Sequence, residues 1–220
     1  MIVEPRPRFQ VELPQTIPIF PLSGALLMPG AQLPLNIFEP RYLRMVDDAL
    51  AGARAIGMIQ PKHEASTDAK ELYSVGCAGR LTTFAETGDG RYLITLTGVR
   101  RFRLLTEINA DTPYRVAEVD WAAFDIDEHP DKTIDAVDRD ALIAAMRDYL
   151  DAEGLKADWD AAEEAPTEAL VVSLAMGCPF APNEKQALLE AQTIADQAAC
   201  LMALMEMAGG DSDDGAGALQ

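Results

Sequence analysis

Ser173 and Lys185 are the first residues of this chain to test for chemistry, because a serine hydroxyl activated by a lysine amine is a known proteolytic arrangement. The setting argues against it. Ser173 falls among Val and Leu in a stretch with helical periodicity, which suits a core or helix-facing role, and no glycine-rich loop nearby would hold an oxyanion. The other serines, Ser23, Ser66, Ser74 and Ser212, also lie outside any G-x-S-x-G turn. The short cluster Gly76-Cys77-Ala78-Gly79 precedes Arg80 and a strand pattern rather than a lysine and a helix, so it reads as sheet geometry and not as a phosphate cradle. His63 and His129 sit in polar segments, and neither has a cysteine or second histidine at ligand spacing. No pair of acids is marked for general acid–base or two-metal work. The expectation is no enzyme, no catalytic residue, no cofactor and no metal.

Arg100, Arg101 and Arg103 cluster beside Phe102. On a strand Arg101 and Arg103 share one face and Phe102 takes the other. The cluster reads as an anion or partner site, or else as arginines engaged in surface ion pairs. Cys77, Cys178 and Cys200 are odd in number, far apart and flanked by apolar residues, which reads as reduced thiols in a cytoplasmic protein. No signal peptide is apparent, and no stretch approaches the ~18 apolar residues that span a bilayer.

Two kinds of element must position these residues. Up to about residue 120 the pattern is that of strands: Ile17–Phe20, Leu33–Phe38, Ala55–Ile59, Ser74–Ala85, Tyr92–Val99, Arg101–Ile108 and Tyr114–Val119, with Gly88-Asp89-Gly90 as a turn and bends or bulges at Gly76, Gly79 and Gly98. One helix interrupts them. Pro40 suits its first turn, Tyr42, Met45, Val46, Ala49 and Leu50 recur at helical spacing, and Gly52 stops it, so the spacing predicts a helix over 40–51. Met1–Gln15 reads as an extended arm and Pro61–Lys70 as a loop. Around Asp120–Pro130 apolar residues thin out, which reads as a linker. Beyond it the period is helical: a long helix over about 134–151 with Val137, Ala141, Ile143, Ala144 and Leu150; one over Thr167–Met176; one capped by Asn183 and Gln186; and one from Thr193, with Ile194, Ala198, Leu201, Met205 and Ala208 on one face. Met202, Met205 and Met207 read as bundle core. Glu153–Ala165 reads as loop or frayed helix, and residues 209–220 as a disordered tail.

Charge divides the chain in the same way. Of the net charge of −18, residues 1–120 carry 14 acidic and 13 basic side chains, and residues 121–220 carry 22 acidic and 5 basic. An acidic surface on this scale repels phosphate backbones and anionic lipid, so neither DNA nor a membrane is expected as a partner.

The run Ile17-Pro18-Ile19-Phe20-Pro21-Leu22, then Pro29-Gly30, then Leu33-Pro34-Leu35-Asn36-Ile37-Phe38-Glu39-Pro40-Arg41-Tyr42, resembles the opening of the Lon protease amino-terminal, substrate-binding domain family. The likeness continues through Met45-Val46, Ile56-Gly57, Val75-Gly76-Cys77-Ala78-Gly79, Gly98-Val99-Arg100-Arg101-Phe102, Leu174-Ala175-Met176 and Glu184-Lys185-Gln186-Ala187-Leu188-Leu189-Glu190, over about residues 14–208. It is nearest to bacterial members that carry this domain alone, without ATPase or protease domains. The resemblance implies an α+β fold: a PUA-like β-barrel amino-terminal unit (14–120) with an inserted helix, followed by a carboxy-terminal helical bundle (133–208) and then the tail. It also implies a non-catalytic module that recognises unfolded or peptide-like protein segments, an adaptor in protein quality control. The alternatives are a small-molecule or RNA binder using the barrel, or a weak peptidase.

Phe38, Glu39, Arg41, Tyr42 and Arg101 are the candidate partner-binding residues. On the binding reading Phe38 and Tyr42 form a peptide-contact patch, with Glu39 and Arg41 giving polar register. On the structural reading the two aromatics seal helix against sheet, Glu39 caps the helix and Arg41 pairs with an acid.

Overall fold

The computed structural model describes residues 13–62, 71–129 and 132–214, with side chains to 208. His63, Ser66, most of the arm, most of the 61–70 loop and residues 215–220 lie outside the described residues. The chain is a mixed α+β protein that divides into two compact units. One takes in residues up to Leu22 and Leu27–Pro130, and the other takes in Ser23–Leu26 and the chain from Asp131 on.

The first unit is a six-stranded sheet with one α-helix. Its elements are β1 (Thr16–Pro21), β2 (Gln32–Ile37), α1 (Pro40–Ala51), β3 (Ala55–Pro61), β4 (Leu72–Glu86), β5 (Tyr92–Ile108) and β6 (Arg115–Asp120). The strand order is β2-β5-β4-β3-β1-β6, and β6 also pairs with β5. The pairings therefore close a circuit from β5 through β4, β3, β1 and β6 back to β5. Among the described strands only β1 and β3 run parallel. The stretches on either side of Gly98 form a single strand, β5, with register shifts against β4 between Ala78 and Gly79 and between Leu81 and Thr83.

The centre of this unit is Phe102, fully buried with Ile17, Ile19, Ile59, Ala78, Ala117 and Val119. Two glycines make room for its ring. A Cβ on Gly57 would stand 3.0 Å from Phe102 Cε1, and one on Gly76 would stand 2.5 Å from Phe102 Cζ. Gly98 serves another close approach: its N–H donates to Ala31 O at 2.8 Å, Gly30 N–H donates to Gly98 O at 2.9 Å, and a Cβ there would overlap the backbone carbonyl of Met28.

Residues 121–129 are not a linker. Ala122–Glu128 is a 3-10 helix packed on β5, and Phe124 within it is 1% exposed. The apolar residues are sparse there because a single aromatic, helped by Trp121 edge-on to Phe102 at 5.9 Å, anchors the segment.

The second unit holds α2 (Arg139–Ala152), α3 (Trp159–Glu164), α4 (Thr167–Gly177), α5 (Pro182–Glu190) and α6 (Ile194–Asp214). A 3-10 turn, Lys132–Ala136, stands where the long helix was expected to begin, and α2 starts after the N-cap Asp138, whose carboxylate accepts from Ala141 N–H at 3.0 Å. Its buried face is Leu142, Met146, Tyr149 and Leu150, with Ala141 and Ala144 exposed. At α5 the helix start is satisfied by Glu184, which accepts from Ala181 N–H at 2.7 Å, and not by Asn183. The α6 helix continues through Gly209 to Asp214, past the point where a tail was expected. Met205 is buried and Met202 half-buried, but Met207 is 68% exposed and so is not core.

Acids are used at helix starts throughout this unit. Asp138 caps α2, Asp158 caps α3 at 3.1 Å from Ala161 N, and Thr193 and Asp196 exchange hydrogen bonds at the start of α6. Two of its few cations serve internally. Arg139 donates to Ala162 O, Glu163 O and Thr167 Oγ1, and Arg147 lies over the Trp159 ring at 4.9 Å.

Gly98→Ala puts a methyl where a backbone carbonyl stands, and a backbone atom cannot rotate out of the way. The expected loss is about 1–3 kcal/mol or more, read as a lower urea midpoint. Gly88→Ala, at a turn glycine with nothing within 4 Å of the new Cβ, is the control and should change the midpoint little.

Candidate functional site

The segment that leaves β2 and starts α1 separates its two aromatics. Phe38, just past the last paired residue of β2, is 62% exposed, whereas Tyr42 is 5% exposed and stacks on Phe20 with ring centroids 4.2 Å apart. The reason is the helix. Pro40 occupies its first turn, and Glu39 O accepts from Tyr42 N–H and Leu43 N–H, both at 2.9 Å, which fixes Tyr42 on the same face as Met45, Val46 and Ala49. Glu39 is the N-cap residue, but its carboxylate does not cap. It accepts from Arg41 Nε at 3.0 Å, and the Arg41 guanidinium lies 4.6 Å over the Tyr42 ring. Glu39 and Arg41 thus form a local pair on top of a buried tyrosine, and Phe38 alone of the motif's aromatics faces solvent.

Further along α1, two acids tie the helix to the sheet. Asp47 accepts from Tyr92 OH at 3.1 Å, and Asp48 accepts from Tyr114 OH at 2.8 Å and from Arg44 Nε at 2.9 Å. The Arg44 hydrogen bond, then that of Tyr114, holds the Asp48 carboxyl below its ordinary value of 3.8. Burial and the same acid push the Tyr114 phenol up to about 12.

Near Phe38, strand β2 and the part of β5 that faces it carry no charged residue, and Arg80 of β4 stands opposite Thr97. Asn36 stands opposite Leu93, Pro34 opposite Thr95 and Gln32 opposite Thr97, while Thr83 and Ala85 of β4 lie opposite Thr95 and Leu93. Leu93 is 47% exposed, and Phe84, edge-on to Tyr92 at 4.9 Å, is 40% exposed.

Arg101 is turned inward. It is 2% exposed, its guanidinium grips Asp127 with Nη2 to Oδ1 at 2.6 Å and Nε to Oδ2 at 3.0 Å, and the Asp127 carboxylate also accepts from Arg101 N–H at 2.8 Å. The Phe124 ring lies 4.5 Å beneath it. Arg100 is likewise taken up: it pairs with Asp125 and Glu128 and donates to Trp121 O at 2.9 Å. Of the three arginines only Arg103 is exposed. Sequence reasoning missed Asp125, Asp127 and Glu128 because they sit in an acidic run that reads as solvated. The available signal was the pair of large aromatics, Trp121 and Phe124, inside that run.

Ser173 is exposed on α4, not core-facing as expected. Lys185 is 8% exposed, and its ammonium donates to Gly24 O at 3.0 Å and to Met176 O at 3.4 Å. Burial lowers its pKa. Cys77 and Cys178 are buried and Cys200 half-buried, all as free thiols. Burial drives the Cys178 thiol up to about 11, the reverse of what a nucleophile needs. His129 is exposed, and among the described residues no three His, Cys, Asp or Glu side chains come together as a metal site. No described helix is long and apolar enough to cross a membrane.

Comparison with known proteins adds a family. The model of the ATP-dependent protease La (LON) substrate-binding domain matches residues 16–207. The chain is similar to Lon protease 2 of Sorangium cellulosum, 31% identical over 136 residues that cover 60% of this chain and 16% of that protein. It is also similar to the Lon protease of Parabacteroides distasonis, 32% identical over 137 residues with the same two coverages. The chain thus matches about a sixth of the length of these curated relatives. Among solved structures, a Lon N-terminal domain protein from Xanthomonas campestris aligns with a TM-score of 0.59 at 22% identity, covering 86% of this chain and 97% of that one. The N-terminal domain of Mycobacterium avium complex Lon protease aligns with a TM-score of 0.61 at 15% identity, covering 87% and 98%. At these identities the likeness is one of fold.

Two outcomes follow from the geometry. Asp127→Ala leaves the Arg101 guanidinium buried without its acid, and should cost about 3–5 kcal/mol of stability by urea unfolding. Glu128→Ala removes an exposed carboxylate and should cost well under that. Asp48 has a depressed folded pKa, so its contribution is present above the unfolded value and is lost as pH falls through the folded one. The stability gap between the wild type and Asp48→Asn should therefore be open at pH 7 and close on acidification below about pH 4. A gap of constant size down to pH 2 would contradict this.

Proposed function

The chain belongs to the family of the ATP-dependent protease La (LON) substrate-binding domain, and from that premise we propose that it recognises unfolded or peptide-like protein segments without cutting them. The observation that carries the reading is Phe38: a large aromatic 62% exposed at the end of β2, beside a stretch of β2 and β5 that carries no charged residue, in a chain of net charge −18. A surface aromatic of this kind contributes most when a partner desolvates it. Phe38 is the contact residue on this reading. Glu39, Arg41 and Tyr42 fix the start of the helix that follows it, and Arg101 has an internal role.

The closed circuit of strand pairings is read as a PUA-like barrel, with the helical unit as the acidic partner of a two-part module. The module acts as an adaptor in protein quality control, in a reducing, cytoplasmic setting that suits its three unpaired thiols. Binding of RNA or an anionic small molecule would require Arg100, Arg101 and Arg103 as an open cationic patch, and two of the three already hold carboxylates of this chain. A peptidase dyad would require Lys185 to reach a serine, and its ammonium is held by two carbonyls.

The test is binding of reduced, carboxymethylated α-lactalbumin, which cannot fold, against the native disulfide-bonded form, followed by fluorescence anisotropy. The unfolded form should bind and stay intact over hours, and the native form should not bind. Phe38→Ala should weaken binding by about 5- to 30-fold, the equivalent of 1–2 kcal/mol, with an unchanged melting temperature because the side chain is exposed. Tyr42→Ala is the contrasting variant, and should cost about 3–5 kcal/mol of stability as a buried aromatic truncation. Failure to bind any unfolded chain would sink the reading.

A further inference from the structure

Strand β2 is paired on one side only. It ends the strand order, and among the described residues β5 is its sole partner. The phase of that pairing is set by Gly98 N–H, which donates to Ala31 O at 2.8 Å. Backbone polar groups alternate sides along a strand, so Leu33, Leu35 and Ile37 direct theirs toward β5, and Gln32, Pro34 and Asn36 direct theirs to the open side. Pro34 fits this phase, since a proline within a sheet is tolerated where its missing N–H would face outward. The open side therefore offers the N–H groups of Gln32 and Asn36 and the carbonyls of Gln32, Pro34 and Asn36.

We propose that β2 takes an extended segment of a client protein as an added strand, so that recognition rests on backbone hydrogen bonds rather than on a fixed client sequence. This rests on the protein-recognition reading above and specifies its mode. The row of outward donors and acceptors names the occupant, because only another extended backbone matches groups spaced two residues apart along a strand. The side chains name its chemistry. Leu33 and Leu35 are half-buried on one face of β2, so the added strand covers them best with apolar residues at alternate positions. No charged residue occurs from Leu13 to Phe38, nor from Tyr92 to Val99, in a chain that is 25% charged overall. A charged client side chain would find no counter-ion along β2 or the facing part of β5. Natural edge strands are commonly blunted by lysines; β2 carries a single outward proline, which removes one donor and leaves the others in place. The client is thus an uncharged segment with alternating apolar residues, as unfolded chains expose and folded ones hide.

The experiment uses the 220-residue chain and three forms of one soluble peptide excised from carboxymethylated α-lactalbumin, chosen for alternating apolar residues. One form is unmodified, and the other two carry N-methyl groups on alternate amides in opposite phases. N-methylation removes donors on one side of the strand and leaves the side chains unchanged. The expected result is that one phase loses at least tenfold in affinity and the other stays within about threefold of the unmodified peptide. Asn36→Pro, which removes only an outward N–H of β2, should weaken the unmodified peptide at least fivefold while circular dichroism and the melting temperature stay near wild type. Equal binding of both N-methylated phases would overturn strand addition and leave the recognition reading standing, with side chains alone as its basis. Binding of the whole unfolded protein that survives Asn36→Pro in a folded variant would likewise move recognition away from β2. A concentration-dependent dimer, seen by sedimentation and abolished by Asn36→Pro, would overturn the client and make a second copy of this chain the occupant. If neither peptide nor unfolded protein binds, both readings fall together.

Discussion

The pairing of β6 with both β1 and β5 is the constraint on which the first unit depends. β5 is 17 residues long and lies against β4 along most of its length. Its other side is shared: β2 takes Tyr92–Thr97 and β6 takes Arg103–Ile108. Because β6 continues the ladder to β1, the circuit closes at that end and the unpaired backbone there disappears. At the other end, among the described residues, β2 has no such continuation and remains an edge. Closure also defines an interior for Phe102, where Gly57 and Gly76 leave space for its ring. A closed end that gives stability and an open end that offers hydrogen bonds are two results of one topology.

Between β2 and β6 lies the short stretch of β5 that contains Arg100 and Arg101, and the 3-10 helix Ala122–Glu128 covers it. Two cations on a strand, one of them almost fully buried, are tolerable only if each has an acid and every donor is directed. Asp127 meets Arg101 through side chain and backbone together, and Phe124 lies under the guanidinium. Asp125 and Glu128 stay in water and reach back to Arg100. A segment with few apolar residues is thereby held to the sheet by charge and one aromatic. Part of the chain's acidity has the same explanation. Asp138, Asp158, Glu184 and Asp196 each accept from a backbone N–H at a helix start, so the acid-rich half is in part a set of helix caps.

Local patterns were readable wherever one residue's neighbours in sequence are also its neighbours in space. Helix α1 begins at Pro40 and ends before Gly52 as the 3.6-residue spacing required, and α4 buries Leu170, Val171, Leu174 and Ala175 as its stripe predicted. The buried face of α2 shows the limit. Alanines count as apolar in any periodic reading, yet Ala141 and Ala144 are exposed and the larger Leu142, Met146 and Tyr149 go inside, because burial follows the area gained. Phe38 and Tyr42 show it again. Four residues apart, with similar rings, they differ in exposure because one lies past the end of a strand and the other on the inner face of a helix.

Order along the chain was enough to determine the strands, the inserted helix, the helical half, the charge division and the family likeness, because each depends on periodicity, turn residues and composition. Three matters depended on groups distant in sequence and were decided only in the folded chain. One is that Arg101 meets an acid 26 positions away and turns inward. Another is that Lys185 meets the carbonyl of Gly24, 161 positions before it. The third is that, among the described residues, β2 stays unpaired on one side while β6 does not. Hydrogen-bond partners across such separations are chosen by topology, and one-dimensional spacing carries no record of them.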